Sequence, residues 1–235
     1  MRGMDIRSLY VTGTDTGIGK SVASAALLHA LRSRGLRAVG MKPVASGCEH
    51  TPEGWRNDDA RLLQAASAAP RPDYADVNPY ALPHPLAPEL AAADAGITLA
   101  LEPILAAHAR LSAGADAVVV EGVGGWAAPL SATLDQVDLV RALRLPVLLV
   151  VGLRLGCINH ARLSARAIAA DGAHLVGWIG NGIDPAMDRC DDVFALLEAR
   201  LPVPCWGRLP FAAPPDPQAL ATRLAVPAGA GFDRA

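Results

Sequence analysis

One segment, Gly13-Thr14-Asp15-Thr16-Gly17-Ile18-Gly19-Lys20-Ser21, constrains this chain more than any other. It follows a short apolar run, Ser8–Thr12, and opens a stretch with apolar residues at i, i+3 and i+4, Ser21–Arg34. A glycine-rich turn between strand and helix exposes backbone N–H groups at a helix N-terminus. Such groups can surround a polyphosphate, with Lys20 reaching the outer phosphates and the Ser21 hydroxyl available to magnesium. Five residues separate Gly13 from Gly19 where the usual phosphate-loop pattern has four, so the loop is of a deviant kind.

Short apolar runs and segments of helical period alternate along the rest of the chain. Apolar runs at Arg37–Met41, Ala117–Val120, Val147–Val151 and Leu175–Ile179 read as further buried strands, and Asp59–Ala66, Glu102–Ala113, Asp135–Leu143 and His160–Ala170 carry helical periodicity. Alternation of this kind predicts an α/β fold, a mostly parallel sheet with helices on both faces, of the P-loop NTPase type. Ligands in such sheets collect beyond the carboxyl ends of the strands, where the informative residues of this chain lie. No linker or repeat marks a boundary, so residues 1–235 read as a single domain. The proline-rich stretch Asn78–Pro88 reads as an ordered surface loop, and the tail from Ala212 as only partly ordered.

Lysine usage sharpens the picture. Only Lys20 and Lys42 are lysines among 21 basic residues, and both stand in phosphate-handling contexts. Met41-Lys42-Pro43-Val44-Ala45-Ser46-Gly47 holds a lysine just past the second strand, with a serine hydroxyl four positions on. In Arg56-Asn57-Asp58-Asp59, either aspartate suits a helix cap as well as a metal. Glu121-Gly122-Val123-Gly124-Gly125-Trp126 puts a carboxylate at a strand tip, where phosphate-loop proteins hold a magnesium-associated acid, with Trp126 as core or as a wall of the site. Leu155-Gly156-Cys157-Ile158-Asn159-His160 opens a helix whose free N–H groups suit a carboxylate. Cys157 and His160 read as packing or capping residues, because no partner completes a nucleophile–base pair.

Taken in order, Gly13–Ser21, Lys42–Gly47, Asn57–Asp59, Glu121–Trp126 and Gly156–His160 closely resemble the dethiobiotin synthetase family. The resemblance implies an ATP- and Mg2+-dependent cyclo-ligase. It would close the ureido ring of dethiobiotin from 7,8-diaminopelargonic acid and bicarbonate-derived CO2, by way of a carbamate and its mixed anhydride with phosphate. It implies nucleotide contacts from Gly17, Ile18, Gly19, Lys20, Ser21, Gly122, Val123 and Gly124, and metal binding by Ser21, Asp59 and Glu121. By the same resemblance Lys42 would lie between carbamate and γ-phosphate, with Lys20 as its catalytic companion. Asn181 would read the adenine edge, with Leu209, Pro210 and Phe211 lining its pocket. Ser46 would meet the substrate. Gly156, Cys157, Ile158 and Asn159 would hold the substrate's remote carboxylate across a homodimer interface. Gly17 departs from relatives that carry glutamate there, which bears on metal geometry and substrate affinity.

Two rival classes share the fold. Nucleotide-switched partitioning ATPases place a lysine five residues before the loop lysine, where this chain has Asp15; cobyrinate-type amide ligases usually carry an additional glutaminase domain. A catalytically silent relative is disfavoured by the presence of both lysines and the carboxylates. A formal charge of -2 with scattered basic residues predicts neither a nucleic-acid nor a membrane partner. Four dispersed cysteines and no signal-like segment predict a reduced, cytoplasmic protein, with Met1 or Met4 as its start.

Overall fold

The computed structural model describes residues 8–227. Its centre is a parallel sheet of β1 (Ser8–Gly13), β2 (Ala38–Met41), β3 (Ala117–Glu121), β4 (Val147–Leu153), β5 (Leu175–Gly182) and β6 (Cys205–Leu209). The strand order is β6-β5-β4-β1-β3-β2. All seven residues of β4 are buried, as expected of a strand covered on both faces.

Alternate residues along each strand serve opposite cores. Leu9, Val11, Val119, Leu148 and Val150 pack with α1 (Lys20–Ser33) and α2 (Asp58–Ala66). Tyr10, Val118, Val120, Leu149 and Val151 pack on the other side with α3 (Leu101–Ala113), α4 (Gln136–Leu143), α5 (Cys157–Ala170) and α6 (Cys190–Arg200). Full burial of each such leucine or valine contributes about 1.5–3 kcal/mol, so the sheet is a stiff platform for the loops at its carboxyl ends. The fold class predicted from alternation is the one observed.

Several local expectations need correction. Asn78–Pro88 is more than a loop: Tyr80–Leu82 is a strand paired in parallel with Val44–Ser46, and Pro88 begins a short helix. The tail is ordered as far as it is described. Pro217–Leu220 is helical, Leu220 and Val226 are buried in the α1 core, and Leu224 bridges to Gly207. Strand β6 and helix α6 were not expected from the sequence, because Gly207 and Arg208 break the apolar run of one and charges dominate the other. Helix α5 begins at Cys157, earlier than periodicity indicated. Met1, Met4 and residues 228–235 of the tail lie outside the described residues.

His108 on α3 is held with Nε2 3.0 Å from the Ser8 hydroxyl, and burial pushes its pKa below the ordinary value. The folded state therefore favours neutral imidazole, whereas the unfolded chain protonates near pH 6.5. Stability is unaffected above that pH and falls as pH drops below it toward the depressed folded value. A His108→Gln variant should show a shallower loss of unfolding free energy between about pH 7 and 5.5, measured by urea denaturation.

Candidate active site

Parallel pairing brings the ends of β1, β3 and β2 side by side: Val11 is level with Glu121, and Met41 with Val120. The residues just beyond those ends form one cluster. Lys42 Nζ lies 2.6 Å from Glu121 Oε1, 3.2 Å from Asp59 Oδ2 and 3.2 Å from the Gly122 carbonyl. The Ser21 hydroxyl donates to the same Glu121 oxygen at 2.8 Å. Glu121 is 0% exposed and Lys42 3%, so neither is a solvated loop residue.

Charge inside this cluster is set by its geometry. Burial by itself would lower the Lys42 pKa, but Glu121 and Asp59 outweigh it and hold the ammonium above its ordinary value. Burial would raise the Asp59 carboxyl, and Lys42 and Ser21 outweigh it in the opposite direction. Lys20 is paired with no carboxylate among the described residues. Burial and repulsion from Lys42 bring it down to about 8, against the attraction of Glu121, Asp59 and Asp15. Burial and the Glu121 charge push the Tyr10 phenol well above the tyrosine range, which keeps its hydroxyl a donor.

The phosphate loop is held by its own residues and by β5. Lys20 Nζ donates to the Asp15 carbonyl at 2.8 Å, and the Asp15 carboxylate pairs with Arg154 at 2.6 Å. Asn181, at the end of β5, donates from Nδ2 to the Ile18 carbonyl at 2.9 Å. Gly19 is left-handed (φ 77°), and a Cβ there would come within 2.2 Å of that amide nitrogen, so only glycine fits. Leu209, Pro210 and Phe211 line an adjoining hollow of about 460 Å³.

Lys42 is also fixed through its backbone. Its N–H donates to the Val77 carbonyl, and Asn78 Nδ2 donates to its carbonyl, both at 2.7 Å. Asn57 caps α2 by accepting from the Ala60 N–H and donates to the Ser46 carbonyl at 3.2 Å. The cap is thus Asn57, which frees Asp59 to face Lys42. Asn57 stands in a motif recognised from the sequence, but its part as cap and tether was not evident there. Asn78 was marked only by its place beside Pro79 in the proline-rich stretch.

The Ser46 hydroxyl and Glu121 Oε2 are buried and have no hydrogen-bond partner among the described residues. A hydroxyl and two carboxylates fit magnesium, which is commonly held by one or two carboxylates together with substrate phosphates. Gly156, Cys157, Ile158 and Asn159 are not brought to this cluster. They line a separate, largely apolar hollow of about 370 Å³ beside Leu155, which is 93% exposed. Cys157 is buried, its thiol raised by desolvation, and the cap of α5 is Gly156, so packing is the role the structure gives Cys157. Trp126 is core: it is 4% exposed, and its indole N–H donates to Asp171 at 2.7 Å.

Residues 7–219 match the model of an AAA domain family. The ATP-dependent dethiobiotin synthetase of Xanthomonas euvesicatoria pv. vesicatoria is 70% identical over 94% of this chain and 98% of that protein. That of Xylella fastidiosa is 63% identical over 94% and 98%. Among solved structures, a ParA family ATPase from Chlorobium tepidum (TM-score 0.52, 16% identity, 97% of this chain and 90% of that one) shares the fold. So does a MinC:MinD cell division complex from Aquifex aeolicus (TM-score 0.50, 13% identity, 92% and 86%).

Neutralising Glu121 removes the buried partner of the Lys42 ammonium and leaves it only the partly exposed Asp59 carboxylate at 3.2 Å. Glu121→Gln should lower the unfolding free energy of the ligand-free protein by about 3–5 kcal/mol. Asp59→Asn, whose carboxylate side chain is 47% exposed, should cost about 1 kcal/mol or less. Denaturant titration of the two variants checks the order.

Proposed function

The chain belongs to the ATP-dependent dethiobiotin synthetase family, and we propose that it closes the ureido ring of dethiobiotin from 7,8-diaminopelargonic acid, CO2 and ATP at the Lys20–Lys42–Glu121 cluster. The observation that carries this reading is the convergence of a buried lysine from the end of β2, a buried carboxylate from β3 and a phosphate-loop serine from α1 on one point. A switch ATPase needs the loop and the acid; a buried lysine delivered from the end of β2 onto that acid suits a second, anionic reactant.

The residues divide the work. Backbone N–H groups from Gly17 to Ser21 surround the nucleotide phosphates, and Lys20 turns from the Asp15 carbonyl to the β- and γ-phosphates. Magnesium, held by Ser21, Asp59 and Glu121, would offset phosphate charge when bound. Lys42 is placed to face both the carbamate oxygen that attacks and the γ-phosphate it attacks, and this positioning of charge is the main need of phosphoryl transfer. Ser46 orients the diamine. The second amine then closes the ring and expels phosphate. Gly122, Val123 and Gly124 border the phosphates, and Asn181 with Leu209, Pro210 and Phe211 receives the adenine. Gly17, where some relatives carry glutamate, leaves the metal to the Ser21–Asp59–Glu121 set.

In this reading the segment Gly156–Asn159 holds the substrate's remote carboxylate across a homodimer interface, as the family resemblance implies, so that each subunit completes its partner's site. The 93% exposed Leu155 beside that segment, an apolar side chain left open to a second subunit, supports the arrangement. Dethiobiotin synthesis from small soluble reactants places the enzyme in the cytoplasm in this reading. No helix among the described residues is long and apolar enough to cross a membrane.

Incubation with diaminopelargonic acid, MgATP and bicarbonate should give dethiobiotin and phosphate in equal amounts; phosphate release that ignores the diamine would overturn the reading in favour of a switch ATPase. Lys42→Gln should lower turnover by roughly 10²-fold or more with an intact circular dichroism spectrum. Lys42→Arg keeps the charge but changes its shape and hydration, and it should also be impaired. Near-normal turnover in Lys42→Gln would remove Lys42 from the chemistry.

A further inference from the structure

Gln136, the first residue of α4, is a polar side chain that is 0% exposed and belongs to none of the phosphate, metal or substrate motifs. Its amide spans the loop after β3. The Oε1 atom accepts from the Tyr10 hydroxyl at 2.6 Å and from the Val123 N–H at 3.1 Å. The Nε2 atom donates to the carbonyls of Gly125 at 2.6 Å, Ala128 at 3.1 Å and Trp126 at 3.4 Å. This pattern admits only one orientation of the amide, because the flipped one would set its oxygen against three carbonyls and its NH2 against the Val123 N–H.

What this amide holds is one wall of the site. Gly122 donates its N–H to the Val11 carbonyl on β1 and offers its own carbonyl to Lys42 Nζ, while Gly125 packs 3.5 Å (from an ideal Cβ) from the Gly13 carbonyl of the phosphate loop. A side chain at Gly122 would lie 2.4 Å from both Gln136 Oε1 and the Tyr10 hydroxyl. The loop therefore closes directly over the Tyr10–Gln136 hydrogen bond. The amide is placed in turn by reciprocal capping at the start of α4, where the Asp135 side chain accepts from the Asp138 N–H and the Asp138 carboxylate accepts from the Asp135 N–H at 2.9 Å.

We propose that Gln136 and Tyr10 are positioning residues for the reaction: their shared hydrogen bond fixes the Gly122–Trp126 loop, and the Gly122 carbonyl in turn fixes the direction of the Lys42 ammonium. Both act through the loop: the hydrogen bonds of Gln136 run to Tyr10 and to the backbone of Val123, Gly125, Trp126 and Ala128. A buried amide whose two N–H groups and carbonyl oxygen are all engaged is costly to build and leaves several polar groups stranded when lost, so its natural role is to fix one loop conformation rather than to add stability. The inference rests on the assignment of Lys42 to phosphoryl transfer.

The test uses the full chain with Trp55→Phe, which removes the half-exposed tryptophan and leaves Trp126, Trp178 and Trp206, all buried. In that background Gln136→Met should lower kcat at least about tenfold and Tyr10→Phe by a smaller factor, with KM for ATP within about twofold, as expected for lost alignment rather than lost binding. Acrylamide quenching should rise in Gln136→Met as the loop releases Trp126. The proposal is overturned if both variants keep kcat within about twofold of the parent, or if kcat and KM for ATP deteriorate together with no change in quenching. Should Gln136→Met fail to fold, Tyr10→Phe decides by the same kinetic split. An inactive parent protein would instead overturn the assignment of function, and the quenching arm would still decide whether Gln136 anchors the loop.

Discussion

The buried ion pair between Lys42 and Glu121 is the contact on which the rest of this molecule turns. Burying both charges carries a desolvation cost that a pair of apolar side chains would avoid, so the pair is poor evidence of stabilisation and good evidence of use. It persists because each charge has further partners: Glu121 accepts from Ser21, and Lys42 donates to Gly122 and faces Asp59. The three strand ends that organise these groups are neighbours in a parallel sheet. That adjacency brings residues 21, 42, 59 and 121, far apart in the chain, within one ion's reach.

The same dependence explains the polar scaffolding around the site. Backbone clamps at Val77 and Asn78 hold Lys42 from one side, and the amide of Gln136 holds the Gly122 loop from the other. Each is buried and satisfied, which in a low-dielectric surrounding gives a defined geometry at some expense in stability. The phosphate loop is organised differently. Its glycines admit the left-handed turn and the close approach of Asn181, and the Lys20 ammonium rests on a carbonyl of its own loop, a contact that a nucleotide can replace.

The fold is common to proteins with other names, including the ParA family ATPase and the MinC:MinD cell division complex that share it at 13–16% identity. Strand β2 runs into Lys42, whose ammonium reaches Glu121, and then into Val44–Ser46, a short strand that pairs with Tyr80–Leu82. Function is thus grafted at strand ends, while the sheet that carries it is shared.

The sequence by itself determined the class of fold and the identity of the chemical groups. Buried parallel strands need continuous apolar runs, covering helices need a period near 3.6, and a phosphate loop needs glycines before Lys20 and Ser21; all three are local requirements and so visible in order along the chain. It also singled out Lys42 and Glu121, since a charge at the end of an apolar run is conspicuous. Only the tertiary structure decided how those groups are held. Asn57 rather than either aspartate caps α2, Asn78 and Val77 clamp Lys42 from thirty-odd residues away, and Gln136 reaches Tyr10 across 126 positions of sequence. Hydrogen bonds of this kind leave no periodic trace, because an amide satisfied by distant carbonyls looks the same in sequence as one facing water. The same reason hid β6 and the ordered tail: their burial comes from a neighbour, α1 or β5, and not from a pattern of their own.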